Sequence, residues 1–276
     1  MPAPQSSMMK NMCKLNFIGK NTVLPQDFEK PGPQFADAFA PQDRSVPPNP
    51  PLTLFRSATL NKLHVTTAKE KSDEITKYID GISDAICSAV DMWMKQATVS
   101  GVIINGPVGI MPPASVKGPV ITSMIQSKAP QGTPVESKYS KAIANAIGQG
   151  WQQWSMGMAG TLTYPMFAAV PAPVAPPAPN IPMPLMLFPS PGEALLVPPV
   201  LAKSMMQQFG DRDAAHAKIL FDAVSFGFYT VFTLFKLSTL VQNVMGTGPV
   251  PIFAPPFVPV GPVIGGMGNG APGSIA

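Results

Sequence analysis

Apolar positions in the first third of the chain recur at a helical period. Ile75, Ile79, Ile82, Ile86, Val90, Trp93 and Ala97 follow one another at steps of three or four, which makes one continuous stripe. Ser72 just ahead is a good N-cap, and Asp73 and Glu74 face the positive end of the helix dipole. The spacing predicts a helix from Ser72 to a stop at Gly101, about 28 residues and roughly 42 Å long. A second start is written more strongly. Thr133-Pro134-Val135-Glu136 combines a Thr cap, proline at the first helical position and Glu at the third, the pattern of a capping box. The helix that follows mixes Gly148, Gly150, Gly157 and Gly160 with Trp151, Trp154, Met156 and Met158. A third start is expected at Gly210-Asp211-Arg212-Asp213. Its helix is apolar nearly all round, with Phe221, Phe226, Phe228, Phe232 and Phe235, so it belongs in a packed centre or against lipid. Between the second and third, Glu193 to Phe209 predicts short helices broken at Pro198-Pro199.

Between these helices runs a Gly-Pro module built around a Pro-Pro pair. It reads GPVGIMPPASVKGPV from Gly106 to Val120 and GPVPIFAPPFVPVGPV from Gly248 to Val263, with a drifted copy from Val170 to Pro184. The pairs are Pro112-Pro113, Pro176-Pro177 and Pro255-Pro256. Helix markers repeat as well: Lys77-Tyr78, Ala85-Ile86 and Trp93 recur at one constant offset as Lys138-Tyr139, Ala146-Ile147 and Trp154. The same offset carries Ser72 onto Thr133. These correspondences predict a mainly α chain with extended Pro-rich segments, made of three diverged helix-plus-proline units. A lone striped helix cannot cover itself, whereas three related ones can share a core, and three units can stand about a pseudo-threefold axis. Residues 1–57, with prolines clustered at Pro47, Pro48, Pro50 and Pro51, form an extended arm. The units then occupy 58–120, 121–184 and 185–264, and the Gly-rich stretch 265–276 is a flexible tail.

Composition sharpens this. The chain of 276 residues has 35 prolines and 17 methionines, yet only 12% of it is charged, about half the usual share. At 45% hydrophobic it has much to bury, unlike polar disordered Pro-rich chains. No charged side chain occurs from Ile143 to Gly192 or after Lys236. Such stretches must be covered by the chain itself, by partners or by lipid. The N-terminus lacks the apolar run of a secretory signal, so assembly in the cytoplasm is expected. Two cysteines, Cys13 and Cys87, read as free thiols of a reducing compartment.

Candidate chemistry is sparse. His64 and His216 stand without a cluster of metal-ligand spacing, so neither a metal nor a cofactor is expected. Gly266-Met267-Gly268-Asn269-Gly270 has the glycines of a nucleotide loop but neither its strand nor its helix. Asp80, Asp84 and Asp91 read as a solvated helix face rather than an acid/base pair, and no catalytic residue is nominated. Nucleic acid is disfavoured because Trp151 and Trp154, which could stack bases, lie where there is no cation.

The three modules from Gly106, Val170 and Gly248 give the chain an organisation that resembles, in style, the axial hub, plug and tip proteins of contractile phage tails and related injection machines. That resemblance implies a non-enzymatic structural part of a virion or injection-machine baseplate, hub or tip. Other subunits would then be held through the N-terminal arm and the uncharged surfaces of the units. The alternative is a membrane-active protein whose third helix, about 211–245, inserts into lipid.

Overall fold

The computed structural model describes residues 4–19, 59–165, 174–211, 214, 216–250, 253–254, 258–259 and 262–276. Six α-helices occur among them: α1 (Ser6–Gly19), α2 (Thr59–Gln96), α3 (Ile121–Lys128), α4 (Pro134–Gly157), α5 (Pro198–Phe209) and α6 (Ala217–Ser238). Strands β1 (Thr98–Asn105), β2 (Val108–Met111), β4 (Gly160–Thr163), β5 (Val174–Pro179), β8 (Val244–Pro249) and β11 (Gly266–Gly270) form one antiparallel sheet in the order β4-β2-β1-β11-β8-β5. Strand β3 (Val116–Lys117) also pairs with β1. Two-stranded pieces are made by β6 (Met183–Pro184) with β7 (Leu240–Val241), and by β9 (Phe253–Ala254) with β10 (Val258–Pro259).

The mainly α expectation is thereby overturned. Helix accounts for 57% and strand for 20% of the described residues, an α+β mixture rather than three helical repeats about an axis. The modules supply strands: the first holds β2 and β3, the second β5 and β6, and the third the end of β8 with β9 and β10. Pro112-Pro113 lies between β2 and β3, Pro176-Pro177 sits at a register irregularity within β5, and Pro255-Pro256 falls outside the described residues. Proline is tolerated there because β5 is an edge strand that need not donate outward. The constant offset between helix markers also has a plain origin. Helices α2 and α4 present Tyr78 against Tyr139, rings 6.3 Å apart, and Trp93 against Trp154, 6.1 Å apart, so equal spacings run side by side.

Helix starts divide the same way. Around Thr133 the capping box is complete: the Glu136 N–H donates to Thr133 Oγ1 and the Thr133 N–H to Glu136 Oε2, each at 3.1 Å. Ser72 is instead interior to α2, which begins at Thr59 and stops at Gln96 rather than Gly101. Gly210, expected to open the third helix, closes α5 in the left-handed conformation at φ 74°. Pro198 and Pro199 start α5, the break expected there. Of the expected arm, residues 6–19 are helix α1, and 20–58 fall outside the described residues.

The helical core gathers on three tryptophans. Trp93 of α2 meets Trp151 of α4 edge-on at 5.1 Å, Trp151 lies 4.7 Å from Trp154, and Trp154 lies 4.9 Å from Phe232 of α6. All three indoles are at most 1% exposed. The apolar stripe from Ile79 to Ala97 is buried throughout, as its period requires.

The sheet has a centre of its own, Tyr164. A Cβ on Gly109 of β2 would lie 2.6 Å from its Cε2, one on Gly246 of β8 2.6 Å from its Cε1, and one on Gly268 of β11 2.7 Å from its hydroxyl. In a flat sheet β2 and β8 would be about 14 Å apart, three strand spacings. Here both touch one ring, so the sheet curls around it. The curl brings the edges together: just past β5, the Ile181 N–H donates to Thr163 O of β4 at 2.7 Å. The expected flexible tail is therefore an interior strand, β11 lying between β1 and β8, and after it the N–H of Ala276 donates to Leu240 O at 2.9 Å.

Gly268→Ala should lower stability by about 1–3 kcal/mol, the usual cost of overpacking. Adding Tyr164→Phe should recover part of that loss by removing the nearest atom, as read from urea midpoints. A double variant no better than Gly268→Ala alone would mean that the ring is not what limits this position.

Candidate functional site

A curled sheet has one inward and one outward face, and in β1, β2, β8 and β11 the burial alternates accordingly. Glycine, Val102, Ile104 and Met111 point in. Outward stand Ile103, Val108, Ile110, Met245 and Met267, between 41% and 59% exposed. Strand register sets them side by side: Ile110 of β2 is directly opposite Ile103 of β1, which is opposite Met267 of β11. Thr161 and Thr247 extend the row on β4 and β8. Across all seven strands the one charged residue is Lys117, on the short β3. Apolar side chains scattered singly on a surface need no explanation, but a contiguous uncharged row does.

Strand addition cannot be what this surface serves. Edge strand β5 carries Pro176, Pro177 and Pro179, which have no N–H to offer, and β4 accepts from Ile181. What remains is a convex patch of side chains that can be covered only by shape-matched apolar contact. Sequence reading passed over it because these strands were taken as proline modules and tail. The available signal was the β-branched run Val102-Ile103-Ile104 and the alternation of glycine with Met or Asn in GMGNG, with Gly106-Pro107 marking a two-residue hairpin turn in which Gly106 has φ 61°.

Residues weighed for chemistry are otherwise engaged. Trp151 and Trp154 are core, not stacking platforms. Gly266–Gly270 is strand, not a phosphate loop. His216 is exposed in the left-handed conformation ahead of α6, and the side chain of His64 falls outside the described residues. Among the described residues no group of three His, Cys, Asp or Glu could hold a metal. A cleft of about 480 Å³ near the N-terminal end of α4 is lined by Phe17, Ile75, Tyr78, Tyr139, Leu220 and His216. The polar groups at its rim are committed to structure: Lys71 pairs with Glu74, and Glu136 caps α4. Tyr78 and Ser140 share a hydrogen bond at 3.2 Å, and burial pushes the Tyr78 phenol up.

The acidic residues of α2 are not a merely solvated face. Asp80 and Asp84 lie 2.7 Å from Lys14 and Lys10 of α1, while Asp91 pairs with Lys95 of its own helix. Beneath those pairs Cys13 and Cys87 are free and buried. Burial raises both thiols to about 12, which leaves them without thiolate character at neutral pH.

Comparison with models of protein families, with curated proteins and with solved structures finds no match to this chain.

The thiols give stability a pH dependence whose sign is fixed. Their folded values, about 12, stand above the ordinary 9.0, so the unfolded chain loses these protons first as pH rises. The contribution is whole below pH 9 and falls between 9 and 12, by about 1.4 kcal/mol per pH unit for each thiol. Urea unfolding between pH 9 and 10 should show a shallower decline in Cys87→Ala than in the native chain. Equal slopes would show that Cys87 ionises alike in both states.

Proposed function

We propose that this chain is a non-enzymatic structural component of a large protein assembly, held by protein–protein contacts through the convex face of its curled sheet. The observation that carries the reading is the uncharged row Ile110–Ile103–Met267, exposed on paired strands whose edges are already closed. A virion or an injection particle, with its densely contacting hub, baseplate or tip parts, is the kind of assembly that suits so charge-poor a chain. The Gly-Pro modules no longer support that choice as repeats, since their strands serve different sheets: β2, β3, β5 and the end of β8 the main one, and β6, β9 and β10 the two-stranded pieces. The exposed face does, because such parts are covered by neighbours on most sides. The arm beginning with α1 is the second contact proposed with other subunits.

One observation favours the membrane alternative. Among the described residues α6 is the helix long and apolar enough to cross a bilayer, and Phe226, Leu234 and Leu237 are exposed on it. Against insertion, 56% of its most apolar window is buried, and Phe228, Phe232 and Phe235 face the core. Those contacts would have to be given up first. The sheet is no better suited to lipid, since β1, its longest strand at eight residues, falls short of the about 9–11 that span a bilayer.

Ile103→Asp changes an exposed side chain and should leave stability within about 0.5 kcal/mol. It should also remove the chain from the fast-sedimenting particle of a native lysate run in mild detergent, followed by mass spectrometry. Leu234→Asp should leave that sedimentation unchanged. The opposite pattern, retention of Ile103→Asp in the particle with loss of detergent-bound material in Leu234→Asp, would replace this reading with the membrane one.

A further inference from the structure

Helix α1 is attached to the body covalently only through residues 20–58, and what holds it is a docking contact. Met9, Cys13 and Phe17, one turn apart, are 0%, 0% and 2% exposed, while Leu15 on the opposite side is 63% exposed. The trough that receives them lies between α2 and α6. Its floor is Gly227 of α6, where any Cβ would run into Cys13 and would lie 3.3 Å from the Met9 carbonyl oxygen. Cys87 of α2 makes a sulfur contact with Met9 at 3.8 Å. Register is fixed by charge: Lys10 reaches Asp84 and Lys14 reaches Asp80, each at 2.7 Å. Both pairs are spaced four residues apart in opposite senses, so α1 runs antiparallel to α2. The hydrogen bond that Lys10 donates to Asp84 is the largest influence raising its ammonium above the ordinary value, and Asp80 adds to it.

A short cationic helix with an apolar stripe, seated in a trough with an acidic rim, is the arrangement of helix-in-groove recognition between separate molecules. These contacts lie wholly between the helix and the trough. Residues 20–58, about 39 of them, reach at most roughly 130 Å when extended. Nothing in these contacts distinguishes the chain's own α1 from that of a neighbour.

We propose that the α2–α6 trough is a docking site for the α1 of a second copy of this chain, so that adjacent copies are linked by exchange of their N-terminal helices. Exchange of an identical element is a low-cost route to association, because every contact of the closed monomer is reused. The inference rests on the assembly role given to the arm, and it is independent of the sheet face. Loss of one contact therefore leaves the other to be tested with different variants.

The test uses two charge-reversed full-length chains. Lys10→Glu with Lys14→Glu sets an acidic helix against an acidic rim; Asp80→Lys with Asp84→Lys sets a basic helix against a basic one. Each alone should be a monomer less stable than the native chain. Mixed, they should form a one-to-one dimer of twice the monomer mass, because each helix matches the other's trough. A mixture that stays monomeric, with both variants folded, overturns the proposal. Should either variant fail to fold, native chains of ordinary and heavy nitrogen, unfolded together and refolded at high concentration, decide the matter. Zero-length coupling of Lys10 to Asp84 should then yield cross-linked peptides of mixed isotope, whereas same-isotope pairs alone overturn it.

Discussion

The β half of the molecule depends on one ring. Tyr164 follows β4 directly and is held by its own N–H, which donates to Pro107 O at 2.7 Å in the β1–β2 turn. From there its ring reaches β2, β11 and β8, and on each of those strands the residue beneath it is glycine. Side chains at those positions would force the sheet away from the ring and flatten it. Flattening would part Ile181 from Thr163 and leave two open edges. Curvature, closure and the convexity of the outer face thus follow from a single aromatic packed against bare backbone.

The helical half is organised differently, by volume rather than by vacancy. Three indoles and the phenylalanines of α6 fill the space between α2, α4 and α6, and shorter elements cover what those leave open. Helix α1 is one such cover, with two ion pairs that define where it lies. Because the pairs remain open to solvent, at 26% and 54% for Lys10 and Asp84 and 31% and 34% for Lys14 and Asp80, they contribute more to register than to stability.

What the residues announce in advance is what large side chains announce. The stripe from Ile79 to Ala97 and the box at Thr133 are legible because they need specific side chains at specific intervals. The sheet is hard to read for the converse reason. Its inward positions are largely glycine, so Gly266–Gly270 alternates between glycine and Met or Asn and reads as a tail. Proline in β5 likewise argues for a strand only once its place at an edge is known. Helix α1 had a signal, Met9, Cys13 and Phe17 at intervals of four, but the prolines that follow drew the whole N-terminus into one extended arm. The apparent repeat arose from a true spatial relation, the parallel course of α2 and α4 that brings Tyr78 to Tyr139 and Trp93 to Trp154.

A curled sheet with blunted edges differs from an open one in how it counts. An open edge is satisfied by any compatible strand and presents a new edge once filled, so growth on it has no natural end. The row Ile110–Ile103–Met267 offers no such continuation, since whatever covers those side chains finishes the surface. A chain built this way enters a larger structure in a number set by the seats its neighbours provide, and not by its own abundance.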